Sequence, residues 1–293
     1  MGSIALYMAS GDSLYFGAAL LVAVVALSPF LKLKWLLVLR NIAFYLALVA
    51  MTVASPPFSW FIDAIFFAFA GFWFISSNKP HSPARLRMAG ALILCAFIVW
   101  LASAELSRRA MPTLAGVSSD HLVVIGDSLS AGINSAIPPW PVYLQRASGV
   151  PIKNLSMPGA TTAEAKIMAA KIKQEDRVIL IEIGGNDLLS DVPCKVFAEN
   201  LASVLSSLTD PGRTLVMFEL PILPNKIACG QHQRQLAAAY HVTLIPKHYL
   251  IDIIGGPDAT LDGLHLSDSG ARRFAELVQQ IMQPVLKRPS TSP

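Results

Sequence analysis

The chain is poor in charge and in cysteine. Only 14% of its 293 residues are Asp, Glu, Lys or Arg, and only 3 are Cys. These cysteines form no C-x-x-C pair and no cluster with histidine, so the sequence predicts neither a metal site nor a metal cofactor. No nucleic-acid-binding motif is present, and the excess of basic residues is confined to the first 119 positions. We therefore expect no nucleic-acid partner.

Apolar residues are in excess, at 54% of the chain. The first 110 residues contain four apolar runs, each close to the roughly 20 residues that cross a bilayer core. We expect four transmembrane helices, at residues 14–31, 35–54, 57–76 and 87–104. The predicted organisation is a four-helix transmembrane region (1–110), a linker (111–119), a catalytic domain (120–286) and a flexible C-terminal tail (287–293).

Basic residues indicate the orientation of these helices. They lie between the first and second segments and between the third and fourth: Lys32, Lys34, Lys79, Arg85 and Arg87. The positive-inside rule places both loops in the cytoplasm, and everything after the fourth segment outside. Arg108 and Arg109, which follow that segment, are a modest contrary signal. The sequence thus predicts a multi-pass protein of the cytoplasmic membrane, with the bilayer as its partner and its second half on the extracytoplasmic, periplasmic side. It identifies no protein partner.

The second half alternates apolar runs with amphipathic ones. Predicted strands occupy residues 121–125, 152–156, 177–183, 214–219 and 242–246, and predicted helices about 138–148, 162–174, 195–209, 227–240 and 269–283. Asp268 is the predicted N-cap of the last helix. Strict alternation of strand and helix indicates an α/β domain with a parallel sheet that is covered on both faces.

Polar residues follow several of the predicted strands. Ser128 follows the first, Gly159 the second and Gly184-Gly185-Asn186-Asp187 the third, while Asp262 and His265 come after the fifth. Because the carboxyl ends of parallel strands meet at one edge of a sheet, where ligands bind in such folds, we expect these residues to share a site.

These residue types are the ones that acyl transfer needs. A serine becomes a nucleophile when a base takes its proton, and a histidine serves best when a carboxylate orients its ring. Asp262-Gly263-Leu264-His265 supplies both groups from one turn. The backbone N–H groups of Ser128 and Gly159 and the side-chain amide of Asn186 are candidate oxyanion donors. Taken singly, each of these residues has a purely structural explanation. An Asp-x-x-His is more often a surface pair, Gly159 would be an ordinary turn glycine, and Asn186 would form an Asx-turn.

Taken together, four blocks resemble one known family. Gly126-Asp127-Ser128-Leu129, Asn154 to Gly159, Gly184-x-Asn186-Asp187 and Asp262-x-x-His265 occur in the order found in the SGNH (GDSL) hydrolases, across about residues 120–285. Trp140-Pro141 follows the first block, as is often the case in the bacterial thioesterase/lysophospholipase subgroup, which the chain therefore resembles most. The four membrane helices have no counterpart in that subgroup.

The resemblance implies a flavodoxin-like three-layer α/β/α sandwich and a serine hydrolase that uses no metal or cofactor. It implies that Ser128 is the nucleophile, His265 the general base and acid, and Asp262 its orienting carboxylate. The oxyanion hole that it implies consists of the Ser128 and Gly159 amides and Asn186.

Cys194 and Cys229 are the two cysteines of the second half. If this domain is extracytoplasmic, they can persist as a disulfide that links the loop after the third strand to a later helix. Spacing alone does not show whether their Cα atoms lie within reach of each other.

The leading functional hypothesis is a membrane-anchored extracytoplasmic serine ester hydrolase that acts on lipid or other acyl esters, such as lysophospholipids. The first alternative is a carbohydrate O-acetyl esterase or an acyltransferase of the cell envelope. An alternative from another class is a non-catalytic membrane sensor or assembly factor, against which the intact set of Ser128, Asn186, Asp262 and His265 argues.

Overall fold

The structure, a computed structural model, describes residues 3–54, 56–79, 81–133 and 136–287. Contacts divide the chain into two compact units. The smaller unit comprises Tyr7–Ala110 together with Ile222–Ile227, and the larger one contains Met111–Pro221 and the part of the chain from Ala228 onward. The predicted tail, apart from Lys287, lies outside the described residues.

The smaller unit is helical. After a short helix, α1 (Ser3–Ser10), come four longer ones: α2 (Asp12–Leu27), α3 (Lys34–Val53), α4 (Trp60–Asn78) and α5 (Ala84–Leu106). These four overlap the four predicted segments, and they are long and apolar enough to cross a membrane. Helix α2 packs against α3 and α5, and α4 packs against α5.

Apolar side chains of this unit lie both inside and outside. Leu21, Ala47 and Leu94 are fully buried between the helices, whereas Trp60 and Phe30 are 77% and 76% exposed. In water an outward apolar surface of this kind is unfavourable, and in a bilayer it is the expected pattern.

The larger unit contains a five-stranded parallel sheet in the order β2-β1-β3-β4-β5. Its strands are β1 (Leu122–Gly126), β2 (Ile152–Asn154), β3 (Val178–Glu182), β4 (Thr214–Phe218) and β5 (Thr243–Ile245). This is the strand order of the flavodoxin-like doubly wound fold, and it agrees with the predicted α/β class. Every residue of β1, β3 and β4 is buried, as expected for central strands that are covered on both faces.

Eight helices accompany these strands within the described residues: α6 (Ser128–Ala131), α7 (Trp140–Ser148), α8 (Thr162–Ala169), α9 (Gly185–Leu189), α10 (Cys194–Leu208), α11 (Ile227–Ala239), α12 (Lys247–Ile254) and α13 (Asp268–Met282). Leu122 and Val124 belong to one buried cluster with side chains of α7, α12 and α13. The alternate residues Val123 and Ile125 are equally buried and point to the opposite face, because successive strand residues alternate. The sheet therefore has a helical layer on each face.

Two local features differ from the sequence prediction. The N-cap of α13 is Ser267, whose hydroxyl accepts the Gly270 N–H at 3.2 Å, so the prediction of Asp268 was wrong. Asp268 is instead the first helical residue and accepts a hydrogen bond from Arg272 at 2.8 Å. Helices α6, α9 and α12 were not predicted, because their four, five and eight residues are too few to show a helical period clearly.

Candidate active site

Ser128 is the first residue of the short helix that follows β1. Asp127 caps this helix by accepting the Leu129 N–H at 2.9 Å. Gly126 is required by close packing, since a Cβ there would lie 2.7 Å from the Cβ of Ser130 and 2.9 Å from Oγ of Ser156. The half-buried Ser128 is thus held on a tight strand-to-helix turn at the carboxyl end of a central strand.

Asp262 and His265 are held together by one tight loop. Asp262 Oδ1 accepts the N–H groups of Leu264 and His265 at 3.0 and 2.8 Å, and His265 Nδ1–H donates to Asp262 Oδ2 at 2.7 Å. Gly263 has φ +87°, which glycine adopts without strain. The hydrogen bonds from the His265 ring and the two backbone amides hold the pKa of Asp262 well below its usual range.

A short antiparallel bridge closes this loop at its base. Thr260 pairs with Leu266, the Leu261 N–H donates to the His265 carbonyl at 2.8 Å, and the Ser267 N–H donates to the Ala259 carbonyl at 2.9 Å. Because Nδ1 of His265 carries the proton of the hydrogen bond to Asp262, Nε2 is free to accept a proton. This is the tautomer that a general base for a serine needs.

Ser128 and His265 line the same small cavity, of about 20 Å³. The remaining lining is mostly apolar and includes Ile133, Ile137 and Leu266. No hydrogen bond joins the Ser128 hydroxyl to His265 among the described residues, a separation often found in the absence of substrate. The structure brings the predicted nucleophile and base to one pocket, and their catalytic roles stay predictions.

The predicted oxyanion donors lie on neighbouring turns. Within the described ranges, the backbone N–H groups of Ser128 and Gly159 have no hydrogen-bond acceptor. Gly159 has φ +74°. Asn186 Nδ2 donates to the Ala160 carbonyl at 2.9 Å and to Asp127 Oδ2 at 3.2 Å, so its amide connects the Gly159 turn to the Ser128 turn. For Asn186 to stabilise an oxyanion, the N–H group in its longer hydrogen bond, to Asp127, must be shared between Asp127 and the oxyanion.

Asp187, the last residue of the third motif block, ties two elements together. It is buried and accepts hydrogen bonds from the Thr162 N–H at 2.8 Å and from the Thr162 hydroxyl at 2.6 Å. Burial raises the pKa of this carboxyl. These contacts attach the start of α8 to α9, which carries Asn186, so Asp187 supports the position of Asn186.

Sequence reasoning missed a buried polar group beneath Ser128. Glu182, at the end of β3, and Asp127 are 3% and 4% exposed, and their carboxyl groups lie close enough to interact directly. Ser130, which had no predicted role, donates to Glu182 Oε2 at 2.9 Å. Burial raises the pKa of Asp127 to about 6. Burial and the neighbouring Asp127 raise the pKa of Glu182 well above its usual range. The sequence feature that could have revealed this group is a glutamate at the end of an otherwise apolar strand.

Cys194 and Cys229 form a disulfide in the structure, with their Cα atoms 4.7 Å apart. It joins the first residue of α10 to the third residue of α11. Over the part of the chain that is described, no group of three or more His, Cys, Asp or Glu side chains has an arrangement that could hold a metal ion.

Comparison with known proteins gives one consistent result. Residues 124–273 match the GDSL-like Lipase/Acylhydrolase family. An arylesterase of Vibrio mimicus is 32% identical over 183 residues, which cover 57% of this chain and 90% of that protein. The thioesterase 1/protease 1/lysophospholipase L1 of Escherichia coli K12 is 25% identical over 189 residues, which cover 61% of this chain and 90% of that protein. A crystal structure of the psychrotrophic esterase EstA from Pseudoalteromonas sp. aligns with 57% of this chain and 98% of its own, with a TM-score of 0.49 and 22% identity.

Proposed function

Because this chain belongs to the GDSL-like lipase/acylhydrolase family, we propose that it hydrolyses acyl esters at Ser128, with His265 as general base and acid and Asp262 as its orienting carboxylate. The observation that carries this proposal is the Asp262–His265 pair, hydrogen-bonded at 2.7 Å and placed in the pocket that Ser128 also lines. An oriented imidazole and a serine that faces the same pocket are two requirements of serine catalysis.

The reaction proceeds in two steps. Ser128 Oγ attacks the carbonyl carbon of the ester while His265 Nε2 takes the hydroxyl proton. The resulting oxyanion accepts hydrogen bonds from the Ser128 and Gly159 amides and from Asn186. On collapse, His265 returns the proton to the leaving alcohol or thiol, and the acyl group remains on Ser128. Water then attacks this acyl-enzyme with His265 as base, and the acid and free Ser128 are released.

Apolar side chains near the site favour an amphiphilic acyl ester as substrate. Four exposed apolar side chains form a rim near the carboxyl edge of the sheet, three on loops and one at the end of α9: Ile133 (50% exposed), Met157 (36%), Leu189 (62%) and Leu261 (50%). They lie on the same segments as Ser128, Gly159, Asn186 and Asp262. An acyl chain too long for the cavity beside Ser128 would bury apolar surface against this rim, at about 25 cal/mol per Å².

The size of the cavity supports a second candidate function. The cavity beside Ser128 is small, about 20 Å³, and does not enclose a long acyl chain. A carbohydrate O-acetyl esterase, or an acyltransferase in which a sugar hydroxyl intercepts the acyl-enzyme, would use the same residues. Rates measured with acetyl and long-chain esters, with and without a glycan acceptor, separate these candidates from the lipid-ester hydrolase.

We also propose that the protein is a multi-pass protein of the cytoplasmic membrane with its catalytic domain on the extracytoplasmic side. Support comes from four helices with the length and hydropathy of membrane spans and from basic residues in the loops between the first and second and between the third and fourth of them. The Cys194–Cys229 disulfide is a second, independent support, because disulfides persist in oxidising compartments.

The test is labelling of the full chain, purified in detergent, with a fluorophosphonate probe. We expect labelling of the wild type and of Ser206→Ala, an exposed serine on α10 that serves as the matched control. Labelling should be lost in Ser128→Ala and strongly reduced in His265→Ala. A folded wild-type protein that is not labelled, or a Ser128→Ala variant that still is, would show the proposal to be wrong.

A further inference from the structure

The Asp127–Glu182 pair lies directly beneath the nucleophile turn and takes no part in the proposed chemistry. Glu182 is the register partner of Gly126 in the β1–β3 ladder, and the Asp127 N–H donates to the Glu182 carbonyl at 3.2 Å. Ser130 donates to Glu182 Oε2, and the Ser130 hydroxyl itself accepts the indole N–H of Trp140 at 3.1 Å. Backbone and side-chain contacts thus hold both carboxyl groups in place.

Within the described part of the chain, no lysine or arginine side chain compensates this pair. Among the described residues, neither carboxyl has a lysine or arginine within salt-bridge distance. The charged or titratable groups that act on Asp127 are Glu182 from β3, Asp187 from α9 and His265 from the loop before α13, while Asp127 is the group that acts on Glu182. Two adjacent buried carboxylates cannot both be ionised without a large electrostatic cost, so the pair retains one proton.

The hydrogen bonds indicate which residue holds that proton. Both oxygens of Asp127 accept N–H groups, Oδ1 from Leu129 and Oδ2 from Asn186, as a carboxylate does. The Glu182 carboxyl accepts the Ser130 hydroxyl on Oε2 and interacts with both the backbone N–H and the carboxyl group of Asp127. Glu182 is therefore the acid that donates, and Asp127 is the carboxylate that accepts.

We propose that Glu182 is a positioning residue: as a neutral acid it holds the Asp127 carboxylate, which in turn holds the Asn186 amide at the oxyanion site. This inference rests on the proposed function, since it gives Asn186 its orientation for that reaction. Loss of the Glu182 proton would place two like charges side by side and displace Asp127, and with it Asn186. Activity should therefore fall at alkaline pH as Glu182 ionises.

The first experiment measures kcat and KM against pH for the full chain in detergent, with a short-chain p-nitrophenyl ester. Glu182→Gln keeps a donor for Asp127 and an acceptor for Ser130, so we expect its kcat at pH 7 to lie within about threefold of wild type. Glu182→Ala loses both, and its kcat should fall roughly tenfold or more, toward the hundredfold or greater cost of losing an oxyanion donor. KM should change little in either variant.

The pH profile separates this role from a purely structural one. Because glutamine cannot ionise, the alkaline loss of kcat should move to higher pH or vanish in Glu182→Gln. Glu199→Gln, the same change at an exposed site on α10, should keep the wild-type profile. An alkaline limb in Glu182→Gln identical to that of wild type, or an unchanged kcat in Glu182→Ala, would overturn the proposal.

Thermal unfolding against pH provides a test that does not need activity. A raised folded pKa means that Glu182 stabilises the fold fully below its ordinary pKa, and that this contribution is lost as pH rises toward its folded value. The Tm of wild type should therefore fall relative to Glu182→Gln as the pH rises above the ordinary pKa of a glutamate, about 4.3. A difference independent of pH would overturn the proposal. If the wild type has no esterase activity but its Tm shows the predicted dependence on pH, the proposed function is refuted, whereas the proton shared by Asp127 and Glu182 is supported.

Discussion

Two carboxyl groups of this protein show how the surroundings of a residue determine its state. Asp262 is exposed and accepts two backbone N–H groups and the His265 ring, so its charged form is favoured and its pKa is lowered. Glu182 is buried beside another acid, so its neutral form is favoured and its pKa is raised. The first environment suits a residue that orients a base, and the second suits a residue that donates a hydrogen bond.

Asp262→Asn tests the first of these roles. The side-chain amide of asparagine no longer forces the proton onto Nδ1 of His265, so the tautomer with a free Nε2 acceptor is lost. We expect kcat to fall roughly 10²- to 10⁴-fold with little change in KM, as for other catalytic triads. Steady-state ester hydrolysis measures this, with Asp252→Asn, an exposed aspartate on α12, as the control. Retention of most of the activity by Asp262→Asn would contradict the assigned role.

The site residues differ in how far the sequence could predict them. Asp262 and His265 are three apart in one loop, so local geometry alone brings them together, and the structure shows this contact. Asp127 and Glu182 are 55 positions apart, and only the pairing of β1 with β3 makes them neighbours. Asn186 illustrates both cases: its place after β3 was predicted, but its bonds to Ala160 and Asp127 depend on the packing of three turns.

At the scale of the elements, helix packing in the smaller unit depends on a close approach of α2 to α3. A Cβ on Gly17 would lie 2.6 Å from Cγ of Met51 and 2.8 Å from the Ala47 carbonyl oxygen. The carbonyl belongs to the backbone of α3 and cannot move aside by a rotamer change. Small residues at such crossings let apolar helices pack where lipid offers no hydrophobic driving force.

Gly17→Ala should therefore destabilise the helical unit. Overpacking at a tight contact costs about 1–3 kcal/mol, and here it would force the two helices apart. Gly71→Ala is the matched control, because a Cβ on Gly71 of α4 meets nothing within 4 Å. Thermal unfolding in detergent should show a lower Tm for Gly17→Ala and little change for Gly71→Ala. Equal Tm values for the two variants would contradict the packing described for α2 and α3.

In the larger unit the strands were predicted well and the short helices poorly. All five predicted strands are present, because buried apolar runs between turn residues are a strong local signal. Helices α6 and α9 have four and five residues, and helices this short depend on capping and on neighbouring elements more than on periodicity. The Ser267 cap shows the same limit: Ser267 and Asp268 are both good capping residues, and only the backbone conformation at Ser267 selects one.

At the scale of the whole molecule, the chain combines a helical unit with outward apolar surface and an α/β unit with a buried sheet. The disulfide belongs to the second unit, whereas Cys95 is a free thiol in α5. This distribution is consistent with the proposed topology, in which the second unit lies in an oxidising compartment and Cys95 lies within a membrane span.

Thiol counting and unfolding test this part of the proposal. Protein isolated under denaturing conditions with a maleimide reagent should carry one label, on Cys95, and three labels after reduction. The double variant Cys194→Ser/Cys229→Ser should lose about 4 kcal/mol of stability, the entropic value for a loop closed over 35 residues. Cys95→Ser is the control and should carry no label before reduction. Three labels on unreduced wild type would contradict an oxidising location.

The sequence by itself determined the class of each half, the five strands and the Asp262–His265 turn, because these follow from hydropathy, residue alternation and short-range geometry. The tertiary structure decided what depends on residues distant in the chain. It placed Ser128 and His265 in one cavity, joined Cys194 to Cys229, and brought Glu182 beneath the turn that carries Ser128. Strand order and helix packing set these contacts, and neither is encoded in any single stretch of the chain.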